Sequence, residues 1–390
     1  MKKALLYYSF GFSFGGGEAL PLSFVEALQN TCRLTVALDV EANLARAAEL
    51  SGCGIDIEEL KTVQVTPQGY DISRHGARDS LYRFRRLREL AKDADVCIST
   101  GNVMDFGRSA HHFINMLAFG DDGFTDYAKG RVFGTARRTE GRAKRIVSDC
   151  ILRPVLGMRS KGCIIRNAHE RIYPNSRFVE GLMRDYYGPF NGEVFLPPTL
   201  FEPTDAGNAA RDPLKVVYIG RIVPEKRVAE IVGIVERARA ATGLDVRLSV
   251  AGRLDQDPSY GKRLGKMAET RAWLEFVGPK YGKDKERFLL SGSYAIHAER
   301  FEAFGISIAE YLKSGAIAIV PDTGGSQEVV DSAELTYHTD DDASGILSRL
   351  LSDSAFRARQ REHCARRATF FSREAYLKRQ RLLLERIVST

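Results

Sequence analysis

Three stretches of this sequence carry side chains whose types and spacing could do chemistry. The densest runs from His297 to Glu310 and reads His-Ala-Glu-Arg-Phe-Glu-Ala-Phe-Gly-Ile-Ser-Ile-Ala-Glu. Seven residues separate Glu302 from Glu310. Glu302 falls just before a helical pattern, and Glu310 falls about two turns inside it. Carboxylates placed so can accept hydrogen bonds from the vicinal hydroxyls of a sugar or ribose. The amides of Ala303, Phe304 and Gly305 sit at the helix start, where backbone N–H groups suit phosphate oxygens. Two solvated acids on a helix would read the same way, but Ile306, Ile308, Ala309 and Leu312 flank Glu310 with apolar groups. The loop Asp322–Glu328, with Gly324 and Gly325, follows the next strand and is expected beside them.

The second stretch is Gly220-Arg221-Ile222-Val223-Pro224-Glu225-Lys226. Arg221 offers a bidentate fork and Lys226 a compact charge, a pairing able to clamp a diphosphate. Solvated loop cations are the plainer reading. The third is Gly15-Gly16-Gly17-Glu18, between an apolar strand and a helix. Glycines there allow close backbone approach to a phosphate or sugar, or simply a tight turn. The spacing is not G-x-G-x-x-G, which counts against a nicotinamide-dependent oxidoreductase.

The elements that must position these groups alternate between strand and helix. Strands are expected at 4–8, 34–39, around Val63 and Val65, and at 95–100. Helices are expected at 21–30, 41–50 and 79–92. Between Phe106 and Leu200 the pattern weakens: helices are expected at 142–156 and 176–187, and short strands at 163–166 and 193–196. Phe201–Pro213 reads as a linker. Alternation then restarts, with strands at 215–220, 246–251, 273–277, 294–298 and 316–321. Helices are expected at 227–241 and 304–314, and a closing helix at 373–387 with Ser372 as its N-cap. Such alternation implies α/β architecture with parallel sheets, whose ligands sit at the carboxyl ends of the strands.

Composition sets outer bounds. The 390 residues suit two domains. The net charge of +7 favours an anionic partner. Between Lys129 and Arg171 twelve cations face three acids, Glu140, Asp149 and Glu170. Solvated helix faces and a docking surface for an anionic membrane or acceptor both fit that run. No aromatic-interleaved platform accompanies it, so nucleic acid is not expected. The six cysteines are scattered without C-x-x-C spacing and read as reduced core residues. Adjacent His111 and His112 would point apart on a regular element and make a poor chelate, and no metal is expected. No apolar run reaches the ~20 residues that span a bilayer. Together these point to a cytoplasmic protein, at most peripheral at the inner face of a membrane.

Taken together, Gly15–Glu18, Gly220-Arg221 with Glu225-Lys226, Glu302–Gly305 with Glu310, and Gly324-Gly325 with Glu328 resemble family 4 glycosyltransferases of the GT-B fold. Ile98-Ser99-Thr100, Asn175-Ser176 and Leu196-Pro197-Pro198 support the match. The wording from Glu302 to Glu328 is similar to that of mannosyltransferases extending lipid-linked oligosaccharides. The resemblance implies two Rossmann-like domains facing across a cleft, residues 1–200 binding the acceptor and 201–371 the donor, with a C-terminal helix (372–390) crossing back. It implies a retaining, metal-independent transfer of a hexose, here read as mannose, from a nucleotide-sugar donor to a glycan or polyprenyl-linked acceptor. Arg221 and Lys226 would bind the diphosphate and Glu310 the ribose. Glu302 with Ala303, Phe304 and Gly305 would hold the sugar and β-phosphate. Phe276, Gly278 and Lys280 would lie near the base. Gly15 and Gly16 would approach from the first domain. One departure stands out: where the family often has a donor-contacting histidine, this chain has Asn115, with His111 and His112 close by as substitutes. A non-catalytic sugar-nucleotide-binding partner of another glycosyltransferase is the alternative that this departure leaves open.

Overall fold

The computed structural model describes residues 1–9, 16–40, 43–70, 77–115, 123–134, 153–204 and 210–389. The chain divides into two compact units, Met1–Pro198 with Leu377–Thr390, and Thr199–Tyr376.

In the first unit six parallel strands, β1 (Lys3–Tyr8), β2 (Arg33–Leu38), β3 (Lys61–Gln64), β4 (Val96–Gly101), β5 (His111–Ile114) and β6 (Arg171–Pro174), lie in the order β3-β2-β1-β4-β5-β6. In the second, β7 (Asp212–Ile219), β8 (Arg247–Ala251), β9 (Leu274–Phe276), β10 (Gly292–Ile296), β11 (Ile317–Pro321) and β12 (Thr336–Tyr337) lie in the order β12-β11-β10-β7-β8-β9. Both orders are the same doubly wound topology. Its direction reverses between β1 and β4 in one unit and between β7 and β10 in the other, and loops leaving the strands at that point open a crevice.

Chain chemistry explains the sheets. Central strands are covered on both faces, so they read as unbroken apolar runs. Every residue of β4, β10 and β11 is buried. Around β1 and β4, Leu5, Tyr7, Leu87, Ala91, Cys97 and Phe106 form one packed cluster. In the second unit the helix Val228–Thr242 buries Ile231, Val232, Ile234 and Val235. Each such side chain contributes roughly 1.5–3 kcal/mol when fully removed from water.

Several local expectations are corrected. Residues 163–166 are not a strand: Lys161–Ile165 is a short helix, capped by Ser160, whose Oγ accepts from the Cys163 amide at 3.2 Å. Residues 193–196 belong to no strand, although the Phe195 amide reaches the Pro174 carbonyl at 2.9 Å. Strands β5 and β6 were not anticipated. The linker closes sooner than expected, because β7 already begins at Asp212. Cys32, Cys53, Cys97 and Cys364 are buried, but Cys163 is exposed. Cys150 and most of the expected helix 142–156 lie outside the described residues, as do Arg137–Arg145 of the basic run. Within that run Arg159 is committed internally, to Asp105 at 2.9 Å and Glu170 at 2.7 Å.

The closing helix spans Arg373–Ser389, and Ser372 Oγ accepts from the Ala375 amide at 3.2 Å. Its buried stripe is Tyr376, Gln380, Leu383, Leu384 and Ile387. Leu377 and Leu382 are exposed. From Leu377 the helix belongs to the first unit, where Gln380 donates to Ser23 Oγ at 3.2 Å.

Candidate active site

The loops that follow β7 and β10 sit at the reversal point of the second sheet, and they carry the strongest motifs. The β7 loop is pinned from both sides. Tyr218 donates its hydroxyl to the Arg221 carbonyl at 3.0 Å. Tyr311, fully buried on the helix Ile306–Ser314, accepts from the Ile219 amide at 2.8 Å. Buried Ile222 anchors the loop, while the Arg221 side chain is exposed and no carboxylate pairs with it among the described residues. The turn Pro224–Lys226 then brings Lys226 inward.

Lys226 meets the β10 loop directly. Its ammonium lies 2.8 Å from Glu302 Oε2 and also contacts Glu299 Oε2. His297 Nε2 stands 3.5 Å from Glu302. All four side chains are at least four-fifths buried, His297 almost completely. Burial works against the Lys226 charge, but Glu302 and Glu299 outweigh it and hold the lysine well above its ordinary pKa. Burial would raise the Glu302 carboxyl; Lys226 and His297 reverse this and hold it well below its usual range. Glu299 goes the other way: burial and the neighbouring Glu302 push it up to about 7. Burial lowers His297, which therefore stands neutral at pH 7. Ligand atoms of His297, Glu299 and Glu302 lie within 4.8 Å of one another, close enough to surround one cation. The Lys226 ammonium already lies against two of the three, Glu299 and Glu302.

Glycines shape the backbone beneath this cluster. Gly305 caps the helix Ile306–Ser314 at φ +103, a conformation that side chains rarely adopt. The Gly325 amide donates to the Glu302 carbonyl at 2.8 Å, and a Cβ at Gly325 would come within 2.2 Å of the Ala303 carbonyl oxygen. The 324–325 loop therefore packs on the backbone of Glu302 and Ala303, as its position after β11 suggests. Ala303 is half-buried, and Phe304 is buried.

Glu310 is buried on the same helix and is held by Lys285 Nζ at 2.6 Å, a partner the sequence did not announce. No contact joins Glu310 to the Lys226–Glu302 pair among the described residues. Phe276 ends β9, and Gly278 and Lys280 follow it. Those residues reach the β7 loop in two steps: the Gly278 carbonyl accepts from Gly252 at 3.2 Å, and a Cβ on Gly252 would touch the Gly220 carbonyl oxygen.

Expected residues of the first unit sit at the carboxyl ends of its own strands. Gly15 lies outside the described residues. Gly16 opens a turn, Gly16–Glu18, running straight into the helix Ala19–Gln29, and the space beside Gly17 is open. Asn115 follows β5. Its backbone carbonyl accepts from Asn175 at 3.1 Å, while its own Nδ2 is buried and makes no hydrogen bond. The neighbouring histidines are already engaged. His112, fully buried, lies 3.0 Å from Glu170, and His111 lies 3.1 Å from the Tyr173 hydroxyl. Burial lowers His111 to about 4. Each imidazole thus already has one partner within the first unit.

Sequence reasoning missed Glu299, His297, Lys285 and Tyr311. Glu299 and His297 were in view inside the strongest motif. Lys285 and Tyr311 lie outside any motif, and their pairing appears only once the helices pack.

Comparisons with known proteins bear on the family and the fold. Residues 203–368 match the model of the family described as glycosyl transferases group 1. A GDP-Man:Man(3)GlcNAc(2)-PP-Dol alpha-1,2-mannosyltransferase of Eremothecium gossypii is 33% identical over 119 residues, which span 28% of this chain and 20% of that protein. Among solved structures, Anabaena Alr3699/HepE in complex with UDP and glucose superposes over 100% of both chains, with a TM-score of 0.69 at 13% identity. WaaG, a glycosyltransferase involved in lipopolysaccharide biosynthesis, superposes over 94% of this chain and 95% of its own, with a TM-score of 0.63 at 13% identity. Residues 203–368 thus match the glycosyl transferases group 1 model, within a chain whose fold is that of the GT-B glycosyltransferases.

Proposed function

We propose that this chain is a glycosyltransferase that moves a hexose from a nucleoside-diphosphate sugar to a glycan or lipid-linked acceptor, with retention and without a metal. The observation that carries this reading is the meeting of the β7 and β10 loops at the reversal point, where Lys226 pairs with Glu302 and Arg221 lies exposed on the same β7 loop. Arg221 and Lys226 take the diphosphate. Glu302 and the amides of Ala303, Phe304 and Gly305 hold the sugar and β-phosphate. Glu310, steadied by Lys285, receives the ribose hydroxyls, and Phe276, Gly278 and Lys280 lie along the base. Asn115, within the first unit, keeps a buried amide without a hydrogen-bond partner among the described residues and is read as a sugar-binding group of that unit. The mannosyltransferase relative supports mannose as the sugar and a lipid-linked acceptor. No helix of the described residues is long and apolar enough to cross a membrane. The excess of basic residues after Lys129 in the sequence suits an anionic acceptor.

In this reading the bond between the anomeric carbon and the phosphate oxygen breaks as the acceptor oxygen bonds on the same face. The acceptor proton passes to the departing phosphate, whose charge the two cations stabilise. The test is transfer of radiolabelled sugar by the purified chain across a panel of nucleotide sugars and lipid-linked acceptors, with and without chelator. Arg221→Ala and Glu310→Ala should each lower turnover, by roughly 10²–10³-fold for the cation. Wild-type rates in both would contradict these assignments. Nucleotide-sugar binding without product would favour a non-catalytic partner.

A further inference from the structure

The Lys226 ammonium is shared between two carboxylates, and only one of them is needed to hold it. Glu302 makes a full ion pair and lies next to the glycine-shaped backbone. Glu299 is a second counter-ion on the same Nζ, three residues earlier in the loop. With both acids ionised, the trio carries a net charge of minus one in a mostly buried place. An arriving diphosphate would bring two more anionic groups to a lysine that is already overcompensated. Like charges at such separations disfavour one another strongly out of water. The cluster therefore cannot accept the ligand in its resting charge state.

We propose that Glu299 is the counter-ion which the donor diphosphate displaces from Lys226, and that it gives up the lysine by taking a proton from solvent. The proposal rests on the reading of Lys226 as a diphosphate-binding residue. No other neighbour fits the role. Glu302 is the anion most strongly held by Lys226 and His297. His297 on the same loop is neutral. Tyr218 faces the pair from β7, and burial followed by the two glutamates raises it well above its ordinary value, so its hydroxyl stays protonated. Lys226 keeps its charge, and Arg300 on the β10 loop pairs instead with Asp322 at 3.4 Å. Glu299 is left as the group that can change charge, in keeping with its raised carboxyl.

The sign follows. Below about pH 7 Glu299 is already neutral in the free protein, so binding takes up almost no proton. Above that value each bound ligand brings close to one proton with it, and affinity weakens about tenfold per pH unit. An intact nucleotide sugar is the right probe, because its diphosphate is a diester with no group titrating in this range. Calorimetric titration with GDP-mannose and UDP-glucose, in buffers of different ionisation enthalpy, counts the protons. The wild-type chain should take up almost no proton near pH 6 and about one near pH 8, with Kd rising about fivefold from pH 7 to pH 8. Glu299→Gln should take up none, hold a flat pH profile and bind about tenfold more tightly than wild type near pH 8. Binding by the wild type without proton uptake would overturn the proposal and leave the function reading standing. So would unchanged uptake in Glu299→Gln. Failure of the wild type to bind either nucleotide sugar at any pH would remove both.

Discussion

Arg221 and Lys226 are both cations near one loop, yet their environments assign them different costs. Arg221 is exposed and without a carboxylate partner, so its loss leaves nothing buried behind. Lys226 sits between Glu299 and Glu302, and its removal would strand two carboxylates in a site shielded from water. Lys226→Met should therefore lose stability as well as turnover, by about 3–5 kcal/mol near neutral pH. Urea unfolding reads this directly. An Arg221→Ala chain of wild-type stability beside a destabilised Lys226→Met chain is the expected pattern. Equal stabilities would mean that the lysine is not holding the acids. At this scale the sequence was partly legible. Residue types and spacing marked Lys226, Glu302 and Glu310, because diphosphate and hydroxyl recognition need those groups. Glu299 was read past, because nothing in its position along the chain says that its carboxylate turns back onto Lys226.

At the scale of elements, the site depends on loops more than on helices. The β10 loop keeps its shape because Gly305 takes a left-handed turn and Gly325 comes against its backbone. Gly325→Ala introduces no backbone strain, since its φ is −72. The added methyl would instead crowd the Ala303 carbonyl and push the Glu302 loop outward. A loss of about 1–3 kcal/mol is expected from such overpacking. Turnover should fall further than stability alone explains; a variant that melts lower but transfers sugar normally would separate the loop from the site. Short, mostly apolar elements, such as β1, β4, β10 and β11, were legible because burial on both faces leaves a plain record. Elements around residues 106–200 were not. The run Cys163–Arg166 is apolar and too short for periodicity to choose between strand and helix, and Ser160 was the cap signal that would have decided it. In β5 two histidines open the strand, and their burial is stabilised by Glu170 and Tyr173, partners about sixty residues away that no local pattern can supply.

At the scale of the whole molecule, each unit carries its own parallel sheet with the same strand order and its own buried core. Alternation of strand and helix announced both. The helix Arg373–Ser389 begins in the second unit and continues as part of the first. The chain has a single tryptophan, Trp273, and it lies in the second unit against Arg239. Tryptophan emission therefore follows unfolding of the unit that carries the proposed donor site. The most direct test of the central claim is a Trp273-monitored melt with GDP-mannose or UDP-glucose, for the wild type and for Arg221→Ala. A nucleotide sugar present at a hundred times its Kd should stabilise the wild-type unit by about 2.7 kcal/mol, and the Arg221→Ala chain should lose most of that gain. An equal shift in both chains, or none in either, would contradict the account.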